Sequence, residues 1–156
     1  EDFNFSDTNK IVDQFFHNNP NSWPCWSFSN HDSMRIASRV KRPSKEIMKK
    51  LMELKGNVCI YQGEELGLQE TEVKFEDLQD PFGKSFWPEF KGRDGCRTPM
   101  PWNPKKINLG FSKNKTWLPI NLDYASKSVD KQKQNPDSML NYTKELIKQR
   151  KKGFAT

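Results

Sequence analysis

A histidine and an aspartate stand side by side at the end of a short aromatic run, Phe28-Ser-Asn-His-Asp32. An imidazole can donate a hydrogen bond to a hydroxyl while the neighbouring carboxylate meets developing positive charge, so the pair suits a hydroxyl-rich substrate and a cationic transition state. The same two residues also serve as an ordinary cap or hydrogen-bonded structural feature, and alone they leave both readings open. Arg35 and Ser38-Arg39 follow, and Tyr61-Gln-Gly-Glu-Glu-Leu-Gly67 lies further on. Glu64 and Glu65 resemble a pair of catalytic carboxyls. Adjacent residues at a strand end point to opposite sides, so both cannot face one substrate, and they read as structural acids.

The elements that must hold these groups are legible as periodicity. Ile11, Val12, Phe15 and Phe16 form one face of a helix over 7–17, stopped by an Asn-rich turn before Pro20. The aromatic run from Trp23 to Ser29 has strand length, with the strand itself expected at about 26–29. A second amphipathic helix is expected over 44–55 through Ile47, Met48, Leu51, Met52 and Leu54, with Pro43 near its start and Gly56 as its C′ residue. Val58 to Tyr61 reads as a buried strand at about 58–61, so strand, helix and strand make a βαβ unit with parallel strands. A long aperiodic stretch, 63–136, is rich in Pro, Gly, Asp and Trp, and a loop of that length inside a compact domain is expected to be functional. A last helix is expected over 137–152. In parallel α/β sheets, sites collect where loops leave the carboxyl ends of strands, which is where Asn30-His31-Asp32 and the long loop both begin.

Composition narrows the class. Only 33% of the 156 residues are hydrophobic and mean hydropathy is -0.96, thin material for a self-contained core against a usual ~45–50%. Aromatics at 12% nevertheless exclude a disordered chain. No stretch approaches the ~18 apolar residues of a membrane span, so no membrane partner is expected. Cys25, Cys59 and Cys96 form no CxxC pair and have only His17 and His31 for company, so no zinc ligand set exists. Their odd number fits reduced thiols in a cytoplasm. The net charge of +6 gathers at Lys144, Lys148, Arg150, Lys151 and Lys152, which read as a solvated helix face and not as a nucleic-acid surface, since no aromatic stacking groups interleave them.

Three ordered motifs carry a family resemblance. FSNHD with the following Arg and Ser-Arg resembles the fourth signature region of glycoside hydrolase family thirteen, the α-amylase superfamily, on barrel strand seven. YQGEELG resembles strand eight, and DLQDPFGKSFWPEFKGRDGCRTPMPW, residues 77–102, resembles the loop after it in α-glucosidases and oligo-1,6-glucosidases. The resemblance implies an α/β fold, the C-terminal portion of a (β/α)8 TIM barrel from the end of strand six, Glu1-Asp-Phe-Asn-Phe5, to helix eight. It makes residues 1–156 one partial catalytic domain.

It also implies retaining hydrolysis of α-linked glucose from an oligosaccharide or disaccharide. Asp32 would then be the transition-state stabiliser, and His31 and Arg97 would bind the terminal sugar. The family's nucleophile and acid/base fall before residue 1, so the chain alone is expected to be inactive. No cofactor and no metal are implied, and oligomeric state is left open. Transglycosylases, trehalose synthases, sucrose-cleaving enzymes and non-catalytic transporter subunits share the same barrel end. Arg35 and Arg39 are expected to pair with barrel acids. Phe86, Trp87, Phe90 and Trp102 either stack on sugar rings or form the loop's own small core.

Overall fold

The computed structural model describes residues 5–153, so the strand expected at 1–5 lies essentially outside the described residues. In chain order the elements are α1 (Phe5–Asn18), β1 (Cys25–Trp26), α2 (Ile36–Arg39), α3 (Ser44–Glu53), β2 (Asn57–Val58), α4 (Pro81–Ser85), α5 (Val129–Gln134) and α6 (Met139–Gly153). β1 and β2 pair in parallel, Cys25 opposite Asn57 and Trp26 opposite Val58, with α3 in the connection between them.

Both strands are shorter than the 26–29 and 58–61 expected, and begin one residue earlier. Side chains compete for the backbone that would extend them. Ser27 Oγ donates to the Ser29 carbonyl at 2.6 Å, and Ser29 Oγ accepts from Ile36 N at 2.9 Å, which draws the first strand into a turn. Tyr61 N donates to Glu64 Oε2 at 2.8 Å, away from any ladder.

α3 turns Ile47, Met48, Leu51 and Met52 inward, with Pro43 at its N-cap. Met48, Leu51, Met52 and Leu54 form a cluster with Trp26 and Val58 of the strands, Val12 of α1, and Met139, Leu146 and Ile147 of α6. Each such fully buried side chain contributes about 1.5–3 kcal/mol, so this cluster is the main reason the two strands and three helices stay together. The helix stops at Glu53 with Leu54 as its C-cap, so Gly56 lies beyond the C′ place that periodicity suggests. Glycine is required there for another reason: φ is +125°, and a Cβ would sit 2.6 Å from the Pro24 carbonyl oxygen. Arg150, one of the five basic residues read as a solvated face, is half-buried instead. It donates to the carbonyls of Met52, Leu54 and Gly56, so α6 satisfies the end of α3.

The stretch 63–136 is ordered throughout. It folds through 3₁₀ turns at Glu64–Leu66, Phe75–Asp77, Asp94–Arg97, Ile107–Gly110 and Leu122–Lys127, besides α4 and α5. It carries two apolar clusters of its own. Leu66, Leu68, Leu109, Tyr124 and Val129 form one. Val73, Leu78 and Leu118 form the other, with Trp87 packed against it. Trp87 is therefore core, whereas Phe86, Phe90 and Trp102 are exposed. The short elements lack the regular period by which sequence announces a helix, because each contributes only one or two apolar residues. Among the described residues no helix is long and apolar enough to cross a membrane.

Candidate active site

Asn30 shapes the turn that presents the site. Its Oδ1 accepts from Asp32 N at 2.8 Å, an Asx turn that leaves His31 and Asp32 projecting from the end of β1's chain segment. Both are exposed, and His31 Nε2 lies 3.4 Å from Asp32 Oδ2.

Arg97 returns to this point from the long loop. Its Nε donates to the His31 carbonyl at 2.7 Å and its Nη2 to Asp32 Oδ1 at 3.1 Å. His31, Asp32 and Arg97 thus meet at one rim. The Asp94–Arg97 turn sets the approach. Asp94 is fully buried, and its Oδ2 accepts from Gln79 N at 2.6 Å and Asp80 N at 2.8 Å. The Cys96 carbonyl accepts from Arg35 Nη2 at 2.9 Å and Tyr61 Oη at 3.2 Å.

Among the described residues the side chains of Arg35 and Arg39 form no direct ion pair with an acid, contrary to the expectation from sequence, although Arg35 lies close enough to Glu64 and Glu70 to hold their carboxyls down. Arg35 is almost fully buried and donates from Nη1 to the Gln62 carbonyl at 2.7 Å as well as to Cys96. Arg39 donates to the carbonyls of Met34 and Phe28. A guanidinium reaching carbonyls at turns where no amide is available satisfies backbone that would otherwise be orphaned.

Glu64 and Glu65 are likewise occupied locally, accepting from Tyr61 N and Gly63 N at 2.8 Å each. Burial pushes both carboxyls above their ordinary range, with Ser29 and the backbone amides pulling the other way. Burial also raises Glu70, Tyr61 and Cys96.

Arg93 is a site residue that sequence reasoning missed. Its Nη1 donates to Asp32 Oδ1 at 3.0 Å, so one carboxylate oxygen of Asp32 receives two guanidinium groups. The available signal was Asp80-Pro81, an N-cap and N1 pair that marks a helix start, but nothing local says which arginine comes back to it.

An open groove beside the rim is lined by His31, Tyr61, Gln62, Arg97, Met100, Phe111 and Trp117. The last two are exposed aromatics that periodicity could not single out. No group of three or more His, Cys, Asp and Glu side chains that could hold a metal occurs among the described residues.

The arrangement is a half-exposed carboxylate fixed by two cations beside an imidazole, next to an aromatic groove, all on loops leaving parallel strands. A family model described as alpha amylase, catalytic domain, matches residues 1–155. The chain belongs to the alpha-amylase family. It is 44% identical over 149 residues to a probable alpha-glucosidase of Rhizobium meliloti, covering 91% of this chain and 27% of that protein. Against a probable oligo-1,6-glucosidase 2 of Bacillus subtilis it is 34% identical, covering 83% and 27%.

Among solved structures it superposes on an alpha-glucosyl transfer enzyme with TM-score 0.87 at 40% identity, covering 96% of this chain and 29% of that one. It also superposes on a trehalose-6-phosphate hydrolase of Bacillus licheniformis with TM-score 0.82 at 28% identity, covering 97% and 32%. These alpha-amylase family neighbours are (β/α)8-barrel enzymes, and the chain spans about 27% of the length of the curated relatives it matches.

Proposed function

We propose that the protein carrying this chain is a retaining glycoside hydrolase that releases α-linked glucose from an oligosaccharide or disaccharide. In this reading the chain supplies the barrel from the end of strand six to helix eight, one partial domain over 1–156. Asp32 stabilises the oxocarbenium-like transition state, while His31 and Arg97 hold the terminal sugar. The nucleophile and the acid/base come from the part of the barrel before this segment.

One observation carries the reading. Arg97 and Asp32, 65 residues apart, meet at 3.1 Å on the same rim. Chain spacing does not require that meeting, because the loop between them could have placed Arg97 anywhere. A terminal glucose does require it, being one ring wide and held by groups that surround it. The 44% identity to a probable alpha-glucosidase supports the substrate class. The three free cysteines fit the reducing cytoplasm, where the proposal puts the enzyme.

A second reading, transfer of the glucosyl unit to an acceptor sugar, is favoured by the 40% identity to an alpha-glucosyl transfer enzyme. The same residues would serve it, with an acceptor hydroxyl in place of water. Product analysis with excess maltose separates the two, since transfer gives longer saccharides and hydrolysis gives glucose.

Arg97→Ala in the full-length protein is expected to raise KM for p-nitrophenyl α-glucoside by about tenfold, as loss of a charged hydrogen bond to the sugar implies, with a smaller effect on kcat. Unchanged steady-state constants would return Arg97 to an ordinary loop arginine. The 156-residue chain by itself, lacking the groups that make and break the glycosidic bond, is expected to give no turnover. Measurable release of p-nitrophenol by the pure chain would overturn the placement of nucleophile and acid outside it.

A further inference from the structure

Asp32 is an exposed carboxylate on a turn, a setting in which side chains ordinarily sample several rotamers. Here Arg93 connects it to the interior. Nη1 of Arg93 holds Asp32 Oδ1 at 3.0 Å, while Nε and Nη2 grip the two carboxylate oxygens of Asp80 at 2.9 Å each. Asp80 has no exposed side-chain surface. It also accepts from the backbone nitrogens of Arg93 at 2.8 Å and Phe82 at 3.2 Å, and its own backbone nitrogen donates to the buried Asp94. The Arg93 guanidinium holds the Asp80 carboxyl well below the usual carboxylate range.

The ring of Phe82 lies 5.3 Å beneath the Arg93 guanidinium. The approach is permitted by two glycines: a Cβ on Gly83 would sit 2.8 Å from the Cα of Gly92, whose φ is +83°. The loop's own backbone is thus shaped to deliver this one side chain.

We propose that Arg93 is a positioning residue for Asp32, a bridge that fixes the carboxylate rotamer from the buried anchor Asp80. This rests on the reading of Asp32 given under the proposed function. Arg97 cannot do the same work alone, because it is the group expected to turn to the sugar when substrate binds. Arg93 has no such second duty, and its bidentate grip on Asp80 uses the planar fork that lysine lacks. With Oδ1 held by the arginines, Oδ2 is the oxygen that faces His31.

The test uses the full-length protein and p-nitrophenyl α-glucoside. Arg93→Lys keeps a charge on Asp80 but cannot span to Asp32. Its kcat is expected to fall by about tenfold to a hundredfold, the scale of a reacting group misplaced by about an ångström, while KM moves by less than about threefold. Arg93→Ala strips Asp80 of its partner and lowers the melting temperature whatever its role, so its diagnostic readouts are kinetic. Added guanidinium ion at non-denaturing concentration is expected to recover a large part of its lost kcat. Combined with Asp32→Asn, it is expected to be no slower than Asp32→Asn alone, because it acts through that carboxylate.

Near-normal kcat in Arg93→Lys, or multiplied losses in the double variant, would overturn the proposal. A lower kcat without guanidinium rescue would do the same and leave Arg93 with a structural duty to Asp80. If Asp32→Asn itself keeps its kcat, the reading of Asp32 has failed, and that single variant shows it independently of any change at Arg93.

Discussion

Asp32→Asn in the full-length protein is expected to lower kcat by about 10² or more while changing KM far less. The asparagine can keep the geometry, since its amide oxygen can accept from Arg93 and Arg97 where Asp32 Oδ1 now does, at 3.0 and 3.1 Å. What it loses is the negative charge. If charge on the sugar ring develops mainly in the transition state, as in an oxocarbenium-like path, the loss falls on kcat and not on ground-state binding. Folding should be nearly unaffected, because Asp32 is half-exposed and ion pairs in such a setting are worth about 0–1 kcal/mol. A variant with close to native kcat would reassign Asp32 to structure, and one that lost its melting transition would leave the carboxylate needed for folding instead.

The rim was readable from sequence to the extent that its residues announce themselves in short motifs. FSNHD and RTPM are contiguous, and the parallel pairing of β1 with β2 follows from strand, helix and strand in a short span. Arg93 was out of reach because its meaning lies in a contact 61 residues away and in a buried carboxylate 13 residues away. No local pattern distinguishes it from its neighbours. The expected strands run longer because β-propensity scores Phe28 and Ile60 as strand formers, whereas the Phe28 and Ser29 carbonyls are taken by Arg39 and Ser27 and the Tyr61 nitrogen by Glu64. The interior of 63–136 was invisible for a related reason. Its two clusters join Leu66 to Tyr124 and Val73 to Leu118, and such long-range pairs have no period along the chain.

Besides the contacts that Arg93 and Arg97 make with Asp32, one buried side chain ties that loop beneath the rim, and its removal carries the second large effect. Arg35→Met is expected to destabilise the fold by about 3–5 kcal/mol, the scale for stripping one partner from a buried charged network. Arg35 is 1% exposed and ties the Gln62 carbonyl to the Cys96 carbonyl at 2.7 and 2.9 Å, with its guanidinium 5.5 Å from the Tyr61 ring. Methionine fills part of the volume but takes the guanidinium donor from the Gln62 carbonyl and leaves the Cys96 carbonyl with longer bonds, that from Tyr61 Oη at 3.2 Å among them.

The same substitution makes stability depend on pH in a definite direction. Burial pushes the Glu64 and Glu70 carboxyls up, and Arg35 is among the groups that hold them down. Without it their folded values rise further above the unfolded value of about 4.3, so the folded state binds more protons than the unfolded chain over a wider range. Stability then falls as pH rises through that window, and the deficit of Arg35→Met is larger at pH 7 than near pH 4. Urea unfolding at the two pH values measures both quantities. Equal stability at pH 7 would mean that the clusters around Leu66 and Val73 suffice to hold the loop, and that Arg97 reaches Asp32 without the arginine beneath it.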